Sequence, residues 1–430
     1  MCLPTRRNHV TNKKTEKNLE QLRQRVTTLG KSNEIQVEKD RQNEARPQGW
    51  EPGAVWDGDS GTLTTDTLEE APGDWDAILQ ERGLNPDLYE VASDTIKWCS
   101  YDGWGKDADG ETYEKICYSF RADIRLRKHV RDVNNPDLME LYKQAKKAKL
   151  PKKIPDGDST LVIVLADWQV GNNDGGGVDA QVIALAGLGE KIENRVKQLR
   201  KGGVNIGCIA LVGLGDLYEN CTGFYRHQEF TVEIDMRTQE RIIRQAIFDL
   251  VETVAKLAKK VIIGAVGGNH GENRTNTNRY STTKGDNTDV AVFEQVYDMC
   301  AQNPAAFGHI DWRIPDQDLA ISMELSGHIV AFTHGHIAKA RGSAMQTMWG
   351  WWEKQAYGRF YAGVADAEFL FVGHYHHLNV KEQLKRVIFI APSLTDVSDY
   401  YGDSQGVITS PGTLTVVLDT DGWSNLQVLT

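Results

Sequence analysis

Short apolar runs, each followed by a polar residue or cluster, recur along the second half of the chain. The runs are rich in β-branched residues and bounded by glycine or polar positions, so they predict buried strands. They span residues 160–166, 206–213, 260–266, 328–333, 368–372 and 386–391. Two longer stretches, 180–201 and 231–260, carry apolar residues at helical spacing and are predicted to cover the sheet. The expected fold class is α/β.

Five of these runs end in clusters of acidic, amide or imidazole side chains. Ligands bind at the carboxyl edge of α/β sheets, where loops converge on a rigid frame, so we expect the clusters to meet. They offer the mixed oxygen and nitrogen donors that Mn, Fe(II) or Zn accept. The clusters are Asp167-Trp168-Gln169, Gly215-Asp216, Gly268-Asn269-His270, His334-Gly335-His336 and Gly373-His374-Tyr375-His376. The pattern predicts a two-metal hydrolase site.

The order of these clusters resembles the calcineurin-like metallophosphoesterase superfamily over roughly residues 158–430. The resemblance implies a sandwich of two mixed β-sheets flanked by helices. It also implies two divalent metal ions that activate a water, with Mn expected and Mg, Fe or Zn as alternatives. Asp216 would bridge the two metals. The implied ligands are Asp167, Gln169, Asp216 and His376 for one metal, and Asp216, Asn269, His334 and His374 for the other.

The resemblance leaves His270 free to act as general acid or to stabilise charge on the phosphoryl oxygens. Two positions depart from the family pattern. Gln169 stands where the family usually has histidine, which predicts either a looser metal that favours Mn over Zn or a side chain that only hydrogen-bonds a metal-bound water. Glu272 follows His270 at the second position, where the family more often has Asp at once, and is a candidate to orient His270. The candidate catalytic residues are therefore Asp216, His270 and Glu272.

Each of these residues also has a plainer interpretation. Asp167 or Asp216 can cap the helix that follows its strand, and a single His374 can be a hydrogen-bonded core histidine. Convergent Asp and His side chains at strand ends are typical of metal sites, so we favour a metal site over these plainer interpretations. His336 and His377 each neighbour a better-placed ligand and are predicted to support the site from outside it or to lie on the surface.

Length and composition limit the classes of protein to which the chain can belong. The chain has 430 residues, 40% of them hydrophobic, which is enough for two or more domains. No apolar stretch approaches the ~20 residues of a membrane span, and the first residues lack the apolar core of a signal peptide. The six cysteines show neither metal nor disulfide spacing. These features predict a cytoplasmic protein with no membrane partner.

Charge is uneven along the chain. Residues 1–50 are rich in Lys, Arg, Gln and Asn and predict a basic helical or disordered arm. Residues 51–80 carry Asp and Glu but neither Lys nor Arg, which is typical of an acidic linker. A small accessory module is predicted over 81–153, and basic residues near its end can contact nucleic-acid phosphates. A solvated connecting helix is the alternative for 143–153. Residues 154–430 form the predicted catalytic domain.

Three insertions in that domain can shape substrate choice. The polar loop 271–289 holds cations that can meet phosphates, namely Arg274, Arg279 and Lys284, although an ordinary surface loop is the alternative. Residues 343–363 predict an aromatic helix, for which core packing is favoured over stacking on bases. Residues 393–412 can wall the site with Tyr400 and Tyr401.

The residues of the first and third motifs favour one activity among those of the superfamily. ADWQVG resembles the first motif of the SbcD-like DNA repair exonuclease branch. DWQVG with the following DGGG, and GNHGENR, resemble metallophosphoesterases of tailed bacteriophages. This resemblance implies a Mn-dependent DNA nuclease that contacts its DNA substrate through phosphates, in the host cytoplasm if phage-encoded.

Two other function classes stay open. A phosphatase or a small-molecule or nucleotide phosphodiesterase is the first alternative, because the same metal site serves all of these activities. A non-catalytic metal-binding interaction module is the second, although the intact ligand set argues against it. A homodimer is compatible with the sequence.

Overall fold

The chain forms two compact units, residues 1–127 and 128–430. The structure, a computed structural model, describes residues 46–56, 60–106, 112–127, 138–221, 228, 231–274, 280–395 and 410–430. Most of the predicted basic arm, and Arg279, Tyr400 and Tyr401 of the predicted insertions, therefore lie outside the described residues.

The first unit is built on an antiparallel sheet in the order β1-β2-β5-β3, with β4 also paired to β5. Its elements are β1 (Gly53–Trp56), β2 (Ser60–Thr64), α1 (Trp75–Glu81), β3 (Tyr89–Val91), β4 (Lys97–Lys106) and β5 (Thr112–Leu126). Leu63 of β2 and Ile124 of β5 pack with Leu79 of α1 into a small core. α1 begins after Asp74, whose side chain accepts the first free backbone N–H groups of the helix.

Residues 51–80, predicted as an acidic linker, instead contain β1, β2 and α1. Some acidic side chains of this segment form ion pairs with cations that come later in the same unit. Asp66 pairs with Arg82 at 2.9 Å, and Glu69 pairs with Lys115 at 2.6 Å. The segment is therefore part of the folded unit.

The second unit is a sandwich of two mixed sheets flanked by helices, as predicted. Among the described residues the first sheet has the order β16-β15-β6-β7-β8-β9 and the second β10-β11-β12-β14-β13. The strands are β6 (Ser159–Leu165), β7 (Ile206–Gly213), β8 (Lys260–Ala265), β9 (Ile310–Arg313), β10 (Ala320–Leu325), β11 (His328–Thr333), β12 (Phe369–Val372), β13 (Asn379–Gln383), β14 (Arg386–Ile390), β15 (Thr413–Asp419) and β16 (Gly422–Leu429). The helices are α2 (Leu138–Lys147), α3 (Gly177–Lys201), α4 (Met236–Ala255), α5 (Thr288–Cys300), α6 (Pro304–Phe307), α7 (Ala344–Gly358) and α8 (Ala362–Asp366).

The two sheets face each other across one apolar core. Val162 and Val212 of the first sheet share this core with Phe332 and Phe371 of the second. The rings of Phe332 and Phe371 stack at 5.3 Å, and Phe371 stacks on Phe389 at 4.7 Å. Burying one such ring stabilises a fold by roughly 1.5–3 kcal/mol, so this layer fixes the position of the sheets.

Strand direction brings the polar clusters to sheet ends. β6, β7, β8 and β9 are parallel neighbours, and so are β11, β12 and β14. All six predicted strands are present with ends within one residue of the prediction. The predicted helices are α3 and α4, and α4 begins only at Met236 because the side chain of Asp235 caps it.

α2 lies in the second unit, although the sequence analysis grouped it with the accessory module. Leu141 and Ala145 of α2 are buried. The side-chain amide of Asn303 donates to the carbonyls of Ala145 and Ala148 at 2.9 and 3.0 Å, which satisfies free carbonyls at the end of the helix. The boundary between the units therefore falls after Arg127.

The predicted aromatic helix forms α7 and α8. Trp352 is buried and its indole N–H donates to the carbonyl of Val364 at 2.8 Å, and Trp349 is buried as well. Tyr357 and Phe360 are exposed. Core packing, the favoured interpretation, is therefore confirmed for these two tryptophans. In the described part of the chain, none of the helices combines the length and the apolar character needed to cross a membrane.

Candidate metal centre

The turns that carry the polar clusters have an uncommon backbone. Left-handed φ values occur at Asp167 (52°), Gln169 (42°), Asp216 (51°), His374 (71°) and His376 (57°). Such conformations are costly for residues other than glycine and persist only where surrounding contacts hold them. The N–H of Gln169 donates to the carbonyl of Asp216 at 2.9 Å, so the turns after β6 and β7 hold each other. Strained turns grouped at strand ends indicate a functional site.

Asp216 and His334 form the centre of the site. Both side chains are buried, and Oδ2 of Asp216 lies 3.0 Å from Nε2 of His334. Nδ1 of His334 donates to the carbonyl of Leu214 at 2.7 Å. Nε2 therefore faces Asp216 and also Oδ1 of Asn269, which lies 3.1 Å away. The lone pairs of Nε2 of His334, Oδ2 of Asp216 and Oδ1 of Asn269 thus face one another. A proton or a cation must lie between them.

Asp216 and His334 change each other's pKa. Burial alone would lower the pKa of His334, but the Asp216 carboxylate raises it to about 9. Burial would raise the pKa of Asp216, but His334 and His270 hold it well below its usual range. Without a metal, a proton on His334 balances the carboxylate. A divalent cation can replace that proton.

His374 completes the converging group. Ligand atoms of Asp216, His334 and His374 all lie within 4.8 Å of one another. Burial, followed by the neighbouring His334, lowers the pKa of His374 to about 3. A neutral imidazole with a free lone pair is the form that binds metals. One carboxylate and two imidazoles fit a borderline divalent cation.

Asp167 and His376 form a second pair beside this group. The carboxylate of Asp167 accepts the backbone N–H of His374 at 2.9 Å. Nε2 of His376 lies 3.4 Å from Oδ1 of Asp167. Burial would lower the pKa of His376, but Asp167 raises it. Asp167 and His376, two of the four ligands predicted for the first metal, thus lie together. The half-buried Gln169, a third predicted ligand, places its amide nitrogen 3.4 Å from Nε2 of His270.

His270 lies against a carboxylate that the sequence analysis missed. Its Nδ1 bonds to the backbone carbonyl of Glu219 at 2.9 Å and lies 3.5 Å from the Glu219 carboxylate. Glu272, predicted to orient His270, instead places its carboxylate 3.0 Å from Nε2 of His336. The available signal for Glu219 was its position three residues after Asp216, in the same turn. His377, predicted to lie outside the site or on the surface, is half-buried, and its Nδ1 lies 2.6 Å from the carbonyl of Tyr375.

Asp289 is a second residue that the sequence analysis missed. Its buried carboxylate accepts the backbone N–H groups of Asp216 at 2.9 Å, Leu217 at 3.0 Å and Gly268 at 2.9 Å. Burial and the neighbouring Asp216 raise its pKa to about 6. Asp289 therefore joins the turns after β7 and β8. The sequence analysis placed it at the end of the polar loop 271–289, and the structure places it in the first turn of α5, where an acidic residue is ordinary.

Two glycines allow those turns to touch. A Cβ at Gly268 would lie 2.2 Å from Oδ1 of Asp216, and a Cβ at Gly215 would lie 2.2 Å from the backbone nitrogen of Gly268. Gly215 also has a φ of +84°. Only glycine permits this close approach, which explains the glycines of the G-D and G-N-H motifs.

Comparison with known proteins gives structural similarities only. No protein-family profile and no curated protein matches the chain. One similar solved structure is a predicted phosphoesterase from Streptococcus pneumoniae TIGR4, with 13% identity, 61% of this chain and 84% of that chain covered, and a TM-score of 0.27. Another is an archaeal phosphodiesterase, with 12% identity, 63% and 99% covered, and a TM-score of 0.28. A third is Vps29 from Entamoeba histolytica in complex with zinc, with 13% identity, 63% and 99% covered, and a TM-score of 0.27. At these scores the similarities do not establish a shared family or activity.

Proposed function

We propose that this chain is a metal-dependent phosphoesterase. The observation that carries the proposal is the convergence of Asp216, His334 and His374, whose ligand atoms lie within 4.8 Å of one another. The pair formed by Asp167 and His376 would hold a second cation beside them. The order of the five motifs along the chain supports the same conclusion, because it resembles a superfamily of phosphoesterases.

The chain's own residues divide the chemical work. Bound divalent cations would neutralise charge on a phosphoryl group and lower the pKa of an attacking water. The backbone carbonyl of Glu219 holds Nδ1 of His270, and Nε2 lies 3.4 Å from the amide nitrogen of Gln169. Beside the metal centre, His270 can donate a proton to the leaving oxygen or stabilise the phosphoryl oxygens. Asp289 is buried and keeps Asp216 in place through backbone N–H groups.

We further propose that the substrate is a DNA phosphodiester. The wording of ADWQVG and GNHGENR supports this choice. Two described cations lie on the loop that follows His270, and both have carboxylate partners in their own unit. Arg274 forms an ion pair with Glu272, and Lys284 lies 3.8 Å from Asp318. The support for DNA therefore comes from the motif wording.

The basic residues at the end of the first unit support DNA binding less than the sequence suggested. Arg121 stacks over Trp50 at 4.8 Å, Arg125 pairs with Glu90 at 3.0 Å, and Arg127 pairs with Asp76 at 3.3 Å. These arginines have partners inside their own unit. We therefore propose that the DNA phosphates bind at the metal centre rather than at this run.

A nuclease assay tests the proposal and its alternative. Labelled single- and double-stranded DNA, a chromogenic phosphodiester and a chromogenic monoester are incubated with Mn, Mg or chelator. We expect metal-dependent cleavage of DNA whose apparent affinity falls steeply with salt, because phosphate contacts release counterions. Turnover of the small substrates alone, with little salt dependence, would favour a phosphatase or small-molecule phosphodiesterase. Metal binding without turnover of any substrate would favour an interaction module.

A further inference from the structure

His336 lies beside the metal centre and not on the surface. Its ring centroid is 5.2 Å from that of His334 and 6.3 Å from that of His374. Its side chain is 8% exposed. The prediction left open a surface position or support from outside the site, and the burial excludes the first of these.

A buried carboxylate fixes one nitrogen of this imidazole. Nε2 of His336 lies 3.0 Å from Oε1 of Glu272, whose side chain has no exposed surface. The same oxygen accepts the hydroxyl of Tyr280 at 3.0 Å, and Arg274 forms an ion pair with the carboxylate. An ionised carboxylate only accepts hydrogen bonds, so the proton of the imidazole lies on Nε2. The lone pair of His336 is therefore on Nδ1.

Nδ1 of His336 is buried and has no hydrogen-bond partner in the part of the chain that the structure describes. Buried polar atoms in folded proteins are nearly always paired, so this nitrogen requires a partner that the described side chains do not supply. A carboxylate on one imidazole nitrogen and an open lone pair on the other is the arrangement of metal-bound histidines. Ligand atoms of Asp216, His334 and His374 lie within 4.8 Å of one another, and the ring of His336 lies beside this group.

Resting on the proposed function, we propose that His336 is an additional ligand of the cation held by Asp216, His334 and His374. It binds through Nδ1, and Glu272 is the positioning residue that fixes its tautomer. The extra nitrogen donor shifts the preference of this site toward borderline cations and away from Mg. The proposal also explains Glu272, because this carboxylate contacts His336 and not His270, the candidate general acid.

Cobalt(II) tests the proposal, because its visible absorption reports the number and type of ligands. The full chain is titrated with Co²⁺ and followed by absorption and calorimetry, in the wild type and in His336→Ala and Glu272→Gln. We expect two bound ions in the wild type. His336→Ala should weaken one of them by at least about 10-fold and change the absorption band, and Glu272→Gln should weaken the same ion less.

His309→Ala is the matched control. This half-buried imidazole bonds to the carbonyl of Ala255 at 3.1 Å, before the first residue of β9 and thus at the opposite end of the sheet. Its removal should leave both ions and the absorption band unchanged. Thermal unfolding in chelator reports whether each variant folds. If His336→Ala does not fold, the nearly isosteric Glu272→Gln decides the question.

The outcomes separate the inference from the proposed function. Wild-type affinity and an unchanged band in the folded variants would overturn the ligand role of His336, and a buried water would then be the partner of Nδ1. A wild-type chain that binds no Co²⁺ would instead contradict the proposed function.

Discussion

The two sheets of the sandwich bring different chemistry to one site. The turns after β6, β7 and β8 supply oxygen donors, apart from His270, and the turns after β11 and β12 supply imidazoles. The oxygen donors are Asp167, Gln169, Asp216 and Asn269, and the imidazoles are His334, His336, His374 and His376. A protein that used one sheet alone would have either a site of mainly oxygen donors or a site of imidazoles alone.

Each sheet also orients the ligands of the other. Asp167 of the first sheet is held by the backbone N–H of His374, and His334 of the second sheet is held by the carbonyl of Leu214. These two orientations therefore depend on the packing of the sheets against each other. Metal binding should stabilise the packed sandwich, because ligand binding favours the state that contains the complete site.

Asp216→Asn should have the largest effect on hydrolysis, because Asp216 directly contacts His334, an imidazole of the second sheet. The isosteric amide keeps the shape but removes the charge that a cation requires. We expect hydrolysis to fall by more than about 10³-fold and one bound Mn to be lost. Asp421→Asn, in the exposed turn between β15 and β16, is the control and should change neither quantity. Activity retained at the wild-type level would reject the metal assignment.

His270→Ala should separate acid catalysis from metal binding. His270 is the imidazole of the first sheet, and its contacts run to Glu219 and Gln169. Removing a general acid costs about 10²–10⁴-fold in turnover. We expect that loss in kcat, with both Mn ions still bound by calorimetry. Loss of a metal ion in this variant would mean that His270 is a ligand.

Asp289→Ala should reveal how much the first sheet depends on one buried carboxylate. The substitution leaves three buried backbone N–H groups without their acceptor. We expect the free energy of unfolding to fall by about 3–5 kcal/mol, measured by denaturant titration. The control is Asp235→Ala, which removes an exposed helix cap and should cost only ~1 kcal/mol. Equal losses in the two variants would contradict the joining role of Asp289.

Asp289 and Glu219 also mark the limit of what the sequence could predict. The strands of the site were predictable because they are short, apolar and β-branched, and the ligands because they follow those strands directly. Five strands of the second unit were not identified, namely β9, β10, β13, β15 and β16. β9 has only four residues, β13 has one apolar residue, and β10 and β16 are partly buried. β15 is a buried apolar strand that the sequence analysis missed. Asp289 lies 73 positions from Asp216, and only the packing of α5 brings the two together. The contact of Glu272 with His336 likewise spans 64 positions and leaves no local pattern.

The pH dependence of metal binding tests the ion pair between the sheets. Asp216 raises the pKa of His334 to about 9, so below this pH a proton occupies the nitrogen that a cation needs. Metal affinity should therefore rise with pH by up to about tenfold per unit as far as pH 9 and then level off. Calorimetry in buffers of different ionisation enthalpy counts the released proton. An affinity that is constant between pH 7 and pH 9 would show that His334 is already neutral.

Gln169→His should have the smallest effect, because it adds an imidazole to the oxygen-rich side and removes one long side-chain contact, that of the amide with His270 at 3.4 Å. Gln169 already has the left-handed backbone of the turn, with a φ of 42°. Imidazole binds Zn more strongly than a carboxamide does, so Zn affinity at the first metal should rise by about tenfold while Mn affinity changes less. Competition titrations with the two metals measure this difference. If the two affinities rise equally, the amide of Gln169 does not set the metal preference, and the choice lies with the imidazoles of the second sheet.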